Sequence, residues 1–135
     1  MDFLDKRVGV ICNELKKLKV KQVFPLTQWE YKEGNFIHPE DALKDEAAWE
    51  NFDCKTMHWY GKDRHYWFRT TYTVPEELEG KSIWIRVSSQ IDEWDDGRNP
   101  QFIVFVNGEV YQGIDMNHRE CLITRSGKAG ETLTI

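Results

Sequence analysis

Between Trp67 and Pro75 the chain alternates, and that alternation constrains the fold more than any other feature. Phe68, Thr70, Tyr72 and Val74 fall on one face of a period-two pattern, with Trp67, Arg69, Thr71 and Thr73 on the other, and Pro75 ends the run. A period of two belongs to a strand. Glu76 to Gly80 then turns the chain. Ser82 to Ser88 follows as a second strand, Ile83, Ile85 and Val87 facing one way and Trp84 and Arg86 the other. Gln101 to Val106 is apolar on both faces, which predicts a central strand covered on both sides. Asn107-Gly108 comes next, a dipeptide that tolerates positive φ and so predicts a two-residue hairpin. Glu109 to Gln112 returns, Glu120 to Thr124 makes another strand, and Thr132 to Ile135 begins one more. Short strands with turns at this spacing predict a mostly β fold, a sandwich or jelly roll rather than βαβ units.

The first part of the chain reads differently. Residues 2 to 19 predict a helix, with Leu4, Val8, Ile11, Leu15 and Leu18 recurring at steps of four and three on one face. Asp2 and Asp5 at its start and Lys16, Lys17 and Lys19 at its end complement the helix dipole. Such a stripe must bury itself, and packing on the chain's own sheet is favoured over docking on another domain or subunit. Val20 to Tyr31 is interrupted by Pro25 and reads as extended. From Phe36 to Lys62 the pattern blurs; Pro39 can open a short helix running to Trp49, or the segment can be an acidic loop. The expected division is an N-terminal helix over 1–20 and a β-sandwich over 21–135. Gly130 to Ile135 stops in mid-strand, which predicts a boundary inside a longer protein, since an unfinished apolar edge invites aggregation.

Composition excludes several classes. Net charge is −5 at pH 7, without the basic footprint that pairs with phosphates, so neither nucleic acid nor acidic membrane is an expected partner. The first residues have no basic and apolar leader pattern, and no run approaches the roughly 20 apolar residues of a membrane span. Three cysteines, Cys12, Cys54 and Cys121, are odd in number and irregular in spacing, which predicts free thiols in a reducing cytoplasm. Six Trp, seven Phe and five Tyr suit strands and, where exposed, ligand or partner surfaces.

Cys54, His58 and His65 offer soft ligands without the tight spacing of a zinc site, so surface or core roles are favoured. The run from Asp92 to Gly97 is acidic but lacks the alternating ligand order of a calcium loop. Glu93 with Asp95, or Asp115 with Glu120, supplies two carboxylates for glycoside hydrolysis on paper, yet nothing in the pattern buries one of each pair. No nucleophile elbow or phosphate loop is present. The densest polar cluster is Asp115-Met116-Asn117-His118-Arg119-Glu120. Asp115, Asn117, His118 and Arg119 can contact a sugar or another domain, or can form an internal hydrogen-bond network; the network is favoured. Trp67 and Trp84 lie inside strands and read as core or interdomain contacts. Trp94, in the acidic run, is the best candidate for an aromatic facing solvent.

Three motifs carry a family resemblance. Trp67-Phe68-Arg69 leads to Val74-Pro75, then Leu78-Glu79-Gly80-Lys81; Val104-Phe105-Val106-Asn107-Gly108 forms the hairpin; and Gln112-Gly113-Ile114-Asp115-Met116-Asn117-His118-Arg119-Glu120 follows. Together they resemble the N-terminal β-sandwich domain of bacterial and cytosolic-type family 38 α-mannosidases, well over residues 60 to 135 and loosely before. The resemblance implies a galactose-binding-like jelly-roll β-sandwich with an N-terminal helix. It implies a parent enzyme that hydrolyses α-mannosides with retention, using an Asp nucleophile and a zinc ion held by His and Asp in a following catalytic domain. The family's H-x-H-x-D signature is absent from this chain, so no catalytic or metal role falls on its residues and no cofactor is expected within it. The implied partners are that catalytic domain and, through the helix stripe and the unfinished edge, further copies of the chain. An autonomous carbohydrate-binding module, or the accessory jelly roll of another glycoside hydrolase, is the alternative.

Overall fold

The computed structural model describes residues 3–89 and 100–135. A helix, α1 (Phe3–Lys19), precedes a β-rich body. Its strands are β1 (Gln28–Glu33), β2 (Glu50–Asp53), β3 (Tyr66–Arg69), β4 (Thr71–Thr73), β5 (Ile83–Arg86), β6 (Phe102–Val106), β7 (Glu109–Ile114), β8 (Glu120–Thr124) and β9 (Thr132–Thr134). A short helix, α2 (Pro39–Lys44), lies between β1 and β2. All strand pairs among the described residues are antiparallel: β2-β1-β3 form a three-stranded sheet, and β4 pairs with β9, β5 with β8 and β6 with β7.

The long alternating run serves two of these pairings. Its first half, β3, sets Phe68 opposite Tyr31 of β1, and its second half, β4, sets Tyr72 opposite Leu133 of β9. Thr70 marks the changeover. Its N–H and carbonyl both bond Ile135 at 2.9 Å, while its hydroxyl donates to the Gln28 carbonyl at 3.0 Å. One residue therefore stitches the two sheets, which is how a strand changes sheets without orphaning backbone polar groups.

Inward-facing side chains from this run meet those of the later strands. Val74, Ile85, Val104, Val106, Ile114, Cys121, Ile123 and Leu133 form the buried cluster, with Ile83, Val87 and Phe102 packed against it. The alternation in β5 is as the sequence predicts: Ile85 is buried while Trp84 and Arg86 are exposed. A second, aromatic cluster lies beside the first. Phe68 is 5.1 Å from Phe52 and 5.2 Å from Trp59, ring to ring, and Trp59 reaches Phe102 of β6 at 5.8 Å. These edge-on contacts suit the charge distribution of aromatic rings and couple the first sheet to the later hairpin. In that hairpin Asn107 and Gly108 take φ of 52° and 86°, the double positive φ of a type I′ turn.

Four expectations are corrected. The stripe on α1 does not pack on the sheet: no residue of the helix is buried, and Leu4, Ile11 and Leu18 are exposed. The tie between helix and sheet is instead polar, Lys19 Nζ to Glu120 Oε2 at 2.6 Å. The strand over 102–106 is fully covered on one face and only partly on the other, where Phe105 stacks on Trp67 but Ile103 is 66% exposed. The short helix after Pro39 stops at Lys44, where the Asp45 backbone turns extended. Finally, the blurred segment contains β2, whose residues pair with β1 and bring Phe52 into the aromatic cluster.

Candidate functional site

The polar run from Asp115 to Arg119 forms the turn between β7 and β8. The six-residue β7 ends and the five-residue β8 begins here, so the five residues from Asp115 to Arg119 must reverse the chain, and Asp115 organises the reversal. Its Oδ1 accepts from the backbone N–H of Asn117 at 2.8 Å and of His118 at 2.7 Å, and lies 3.2 Å from His118 Nδ1. In return the Asp115 N–H donates to the His118 carbonyl at 3.2 Å. An Asp that satisfies the amides two and three residues on is the usual chemistry of such a turn. These bonds hold the Asp115 carboxyl below the ordinary carboxylate range, the His118 amide first and the Asn117 amide and His118 ring after it.

Arg119 Nε donates to the Met116 carbonyl at 2.9 Å, closing the turn from its other side. Beyond it, Gln112 Nε2 donates to the Glu120 carbonyl at 2.9 Å and locks β7 to β8. Glu120 pairs its carboxylate with Lys19 at 2.6 Å, while Asp115 turns its own to the amides of the turn. The cluster brings Asp115, His118 and Arg119 together; the Asn117 side chain faces solvent, and it is the backbone of Asn117 that is held. Trp94 and the acidic run from Asp92 to Gly97, including Glu93 and Asp95, lie outside the described residues. Of the strand tryptophans, Trp67 stacks on Phe105 at 5.6 Å, whereas Trp84 is 57% exposed.

A polar site that the sequence patterns did not single out lies on β1. Lys32 is 4% exposed. Its Nζ donates to Asp45 Oδ1 at 3.1 Å and approaches the Asp45 and Ala47 carbonyls at 3.3 and 3.4 Å. The same ammonium lies 5.1 Å from the Trp49 ring centre and 5.3 Å from that of Phe36. Arg69 sits over Trp49 at 4.2 Å and bonds Glu30 at 2.7 Å. A buried charge needs such complete partnership. The hydrogen bond from Lys32, followed by one from the Ala47 amide, lowers the Asp45 carboxyl. The signal available in the sequence was the alternation of Trp29, Glu30, Tyr31, Lys32 and Glu33, a strand signature shortened by its proximity to Pro25. With every donor of Lys32 engaged, this cluster anchors the segment 39–49 to the sheet and has no open position for a ligand.

Among the described residues no three His, Cys, Asp or Glu side chains gather to hold a metal ion, and no helix is long and apolar enough to cross a membrane. Cys12 and Cys54 are exposed and Cys121 is buried, all as free thiols. Burial raises the Cys121 thiol, and partial desolvation followed by the neighbouring Asp53 charge raises that of Cys54, away from the thiolate form a nucleophile requires. Comparison of this chain with protein-family models, curated proteins and solved structures finds no match.

Proposed function

We propose that this chain is a non-catalytic accessory domain of a retaining, metal-dependent α-mannosidase, folded as a jelly-roll β-sandwich and serving to pack on a catalytic domain and support assembly. The observation that carries the accessory role is the amount of surface. The chain exposes 10603 Å², whereas a compact monomer of its mass exposes about 7,400 Å². Large apolar side chains are exposed along α1 and at Trp84, Ile103 and Val110. A surface of that kind is built to be covered.

The sandwich reading draws support from the cross-links between pairs: Gln112 to Glu120 joins β7 to β8, and Asn107 to Thr134 joins the hairpin to β9. The identity of the parent enzyme rests on the resemblance of Trp67-Phe68-Arg69, Val74-Pro75 and Gln112 to Glu120 to the mannosidase pattern. In this reading zinc belongs to the catalytic domain; the ligand-type side chains described here do not fit it, and no step of the reaction passes through them. Three unpaired thiols support a cytoplasmic location. The test is direct. This chain, supplied with zinc, is expected to release no nitrophenol from nitrophenyl α-mannoside, and its reading frame is expected to run on into an H-x-H-x-D segment. Turnover by this chain alone, or a continuing frame that lacks the segment, overturns the reading.

One observation favours the carbohydrate-binding alternative: Trp84 presents its indole to solvent beside Arg86 on β5. Calorimetric heat with mannobiose that disappears in Trp84→Ala would select it. The accessory reading expects no heat in either protein.

A further inference from the structure

The apolar residues of α1 follow a spacing that identifies their partner. Leu4, Val8, Ile11, Leu15 and Leu18 step by four, three, four and three, a repeat of 3.5 rather than 3.6, which is the spacing of a seam of one helix on another. Phe3 and Val10, also exposed, widen the apolar face on one side of that seam. All five residues are between 51% and 73% exposed, so nothing among the described residues fills that seam.

The flanking charges identify the partner's orientation. Arg7 and Glu14 border the seam on one side, at equivalent heptad positions. When two copies of α1 run antiparallel with Val8 layered against Ile11, Arg7 of each faces Glu14 of the other. The same arrangement sets the acidic first turn, Asp5, towards the partner's basic last turn of Lys16, Lys17 and Lys19, and opposes the two helix dipoles. Lys6, Lys16 and Lys17 lie off the seam, where their charge stays in water. Segment 3–21 holds six basic and two acidic residues, a net +4, which leaves −9 on the rest of the −5 chain. That acidic body disfavours approach to an anionic membrane, and it attracts the helix of a second copy.

We propose that α1 pairs with α1 of a second copy of this chain in a short antiparallel seam, making the helix the dimerisation element of the protein. The proposal deepens the assembly role given above. Its failure is separable from that of the mannosidase reading, because its test reads mass and not mannoside chemistry.

The test is sedimentation equilibrium of the full chain from micromolar to near-millimolar concentration, with two matched variants. Ile11→Gln places an amide in the seam, and Val10→Gln places the same amide outside it. Neither side chain is buried in the monomer, and Gln is a good helix former, so both variants keep the fold; near-ultraviolet circular dichroism checks this. The wild type and Val10→Gln are expected to dimerise alike, and Ile11→Gln to weaken the dimer by at least about tenfold. A wild type that stays monomeric overturns the proposal. So does an equal effect of the two variants, which indicates non-specific apolar contact, and so does a monomer that binds phosphatidylserine vesicles through Ile11 without self-association.

Discussion

Asn107 and Thr134 exchange hydrogen bonds: the Asn107 N–H donates to the Thr134 carbonyl at 2.8 Å, and the Thr134 N–H donates to the Asn107 side-chain oxygen at 2.9 Å. A turn residue of the β6–β7 hairpin thereby imitates a strand neighbour for β9. Asn serves here twice, since it also tolerates the positive φ that the turn requires. Asn107→Ala loses the acceptor and strains the turn, and is expected to lower unfolding free energy by about 1–3 kcal/mol in urea titration. Asn107→Asp keeps both features and should lose less than half as much.

Gly127 is pinned between two segments. Its N–H donates to the Lys81 carbonyl and its own carbonyl accepts from Gly80, both at 2.8 Å. A methyl group on it would meet the Leu78 carbonyl oxygen at 2.8 Å and Ile83 Cδ1 at 2.7 Å. The isoleucine end can swing aside, but the carbonyl is backbone and cannot. Gly127→Ala is therefore expected to destabilise by about 1–3 kcal/mol, read as a lower urea midpoint with an unchanged slope.

Removing the Lys32 ammonium tests the anchor between β1 and the segment after α2. Lys32→Met keeps the buried stem and the packing against Phe36 and Trp49. It takes the lysine donor from the Ala47 carbonyl and from the Asp45 carboxylate, which keeps only the Ala47 amide. The expected loss is about 1–3 kcal/mol, with faster amide exchange confined to residues 39–49. Uniformly faster exchange across the strands would contradict a local anchor.

Acid should weaken the fold through the same turn chemistry that organises the candidate site. Asp45 and Asp115 are both held below the ordinary carboxylate value by hydrogen bonds made in the folded state. A depressed folded value means that the stabilisation is complete above the unfolded pKa, roughly 3.9, and is lost as pH falls through the lower folded value. Asp115→Asn should therefore be less stable than wild type near neutrality, and the difference should shrink as the pH falls below that window. A constant difference at every pH would refute the assignment.

The β regions were legible because their period is local. Phe68 to Val74, Ile83 to Val87 and the Asn107-Gly108 turn each announce themselves within a few residues, and the strands stand where that pattern puts them. What escaped was set by distant contacts. β2 (Glu50–Asp53) alternates too briefly to register, and becomes a strand because Phe52 fits the ring cluster around Phe68. Lys32 reads as a surface residue until Asp45, Ala47 and Trp49 fold over it. In the turn from Asp115 to Arg119 the participants and the pairing of the histidine with a carboxylate were legible, and the backbone partners of Asp115 were not. The carboxylate holds backbone amides, and side-chain identities do not encode which amides a loop will offer. For α1 the stripe gave the helix and its need for a partner, but a stripe carries no address.

The exposure of α1 leads to the last prediction. Helical stability in proteins comes chiefly from burying an apolar face, and α1 buries none of its residues in the body. Among the described residues its side-chain link to the strands is the pair Lys19–Glu120, whose lysine side chain is 63% exposed. Such a pair contributes at most about 1 kcal/mol. Deleting residues 1–17 keeps that pair and should change the stability of the β body by less than about 0.5 kcal/mol, measured at concentrations where the protein is monomeric. The helical circular dichroism signal of the full chain at those concentrations should also be weak, and should grow as concentration rises and the seam fills. If instead deletion collapses the strands, or full helicity persists at extreme dilution, then α1 is held by the body of its own chain and the polar tie at Lys19 understates the contact.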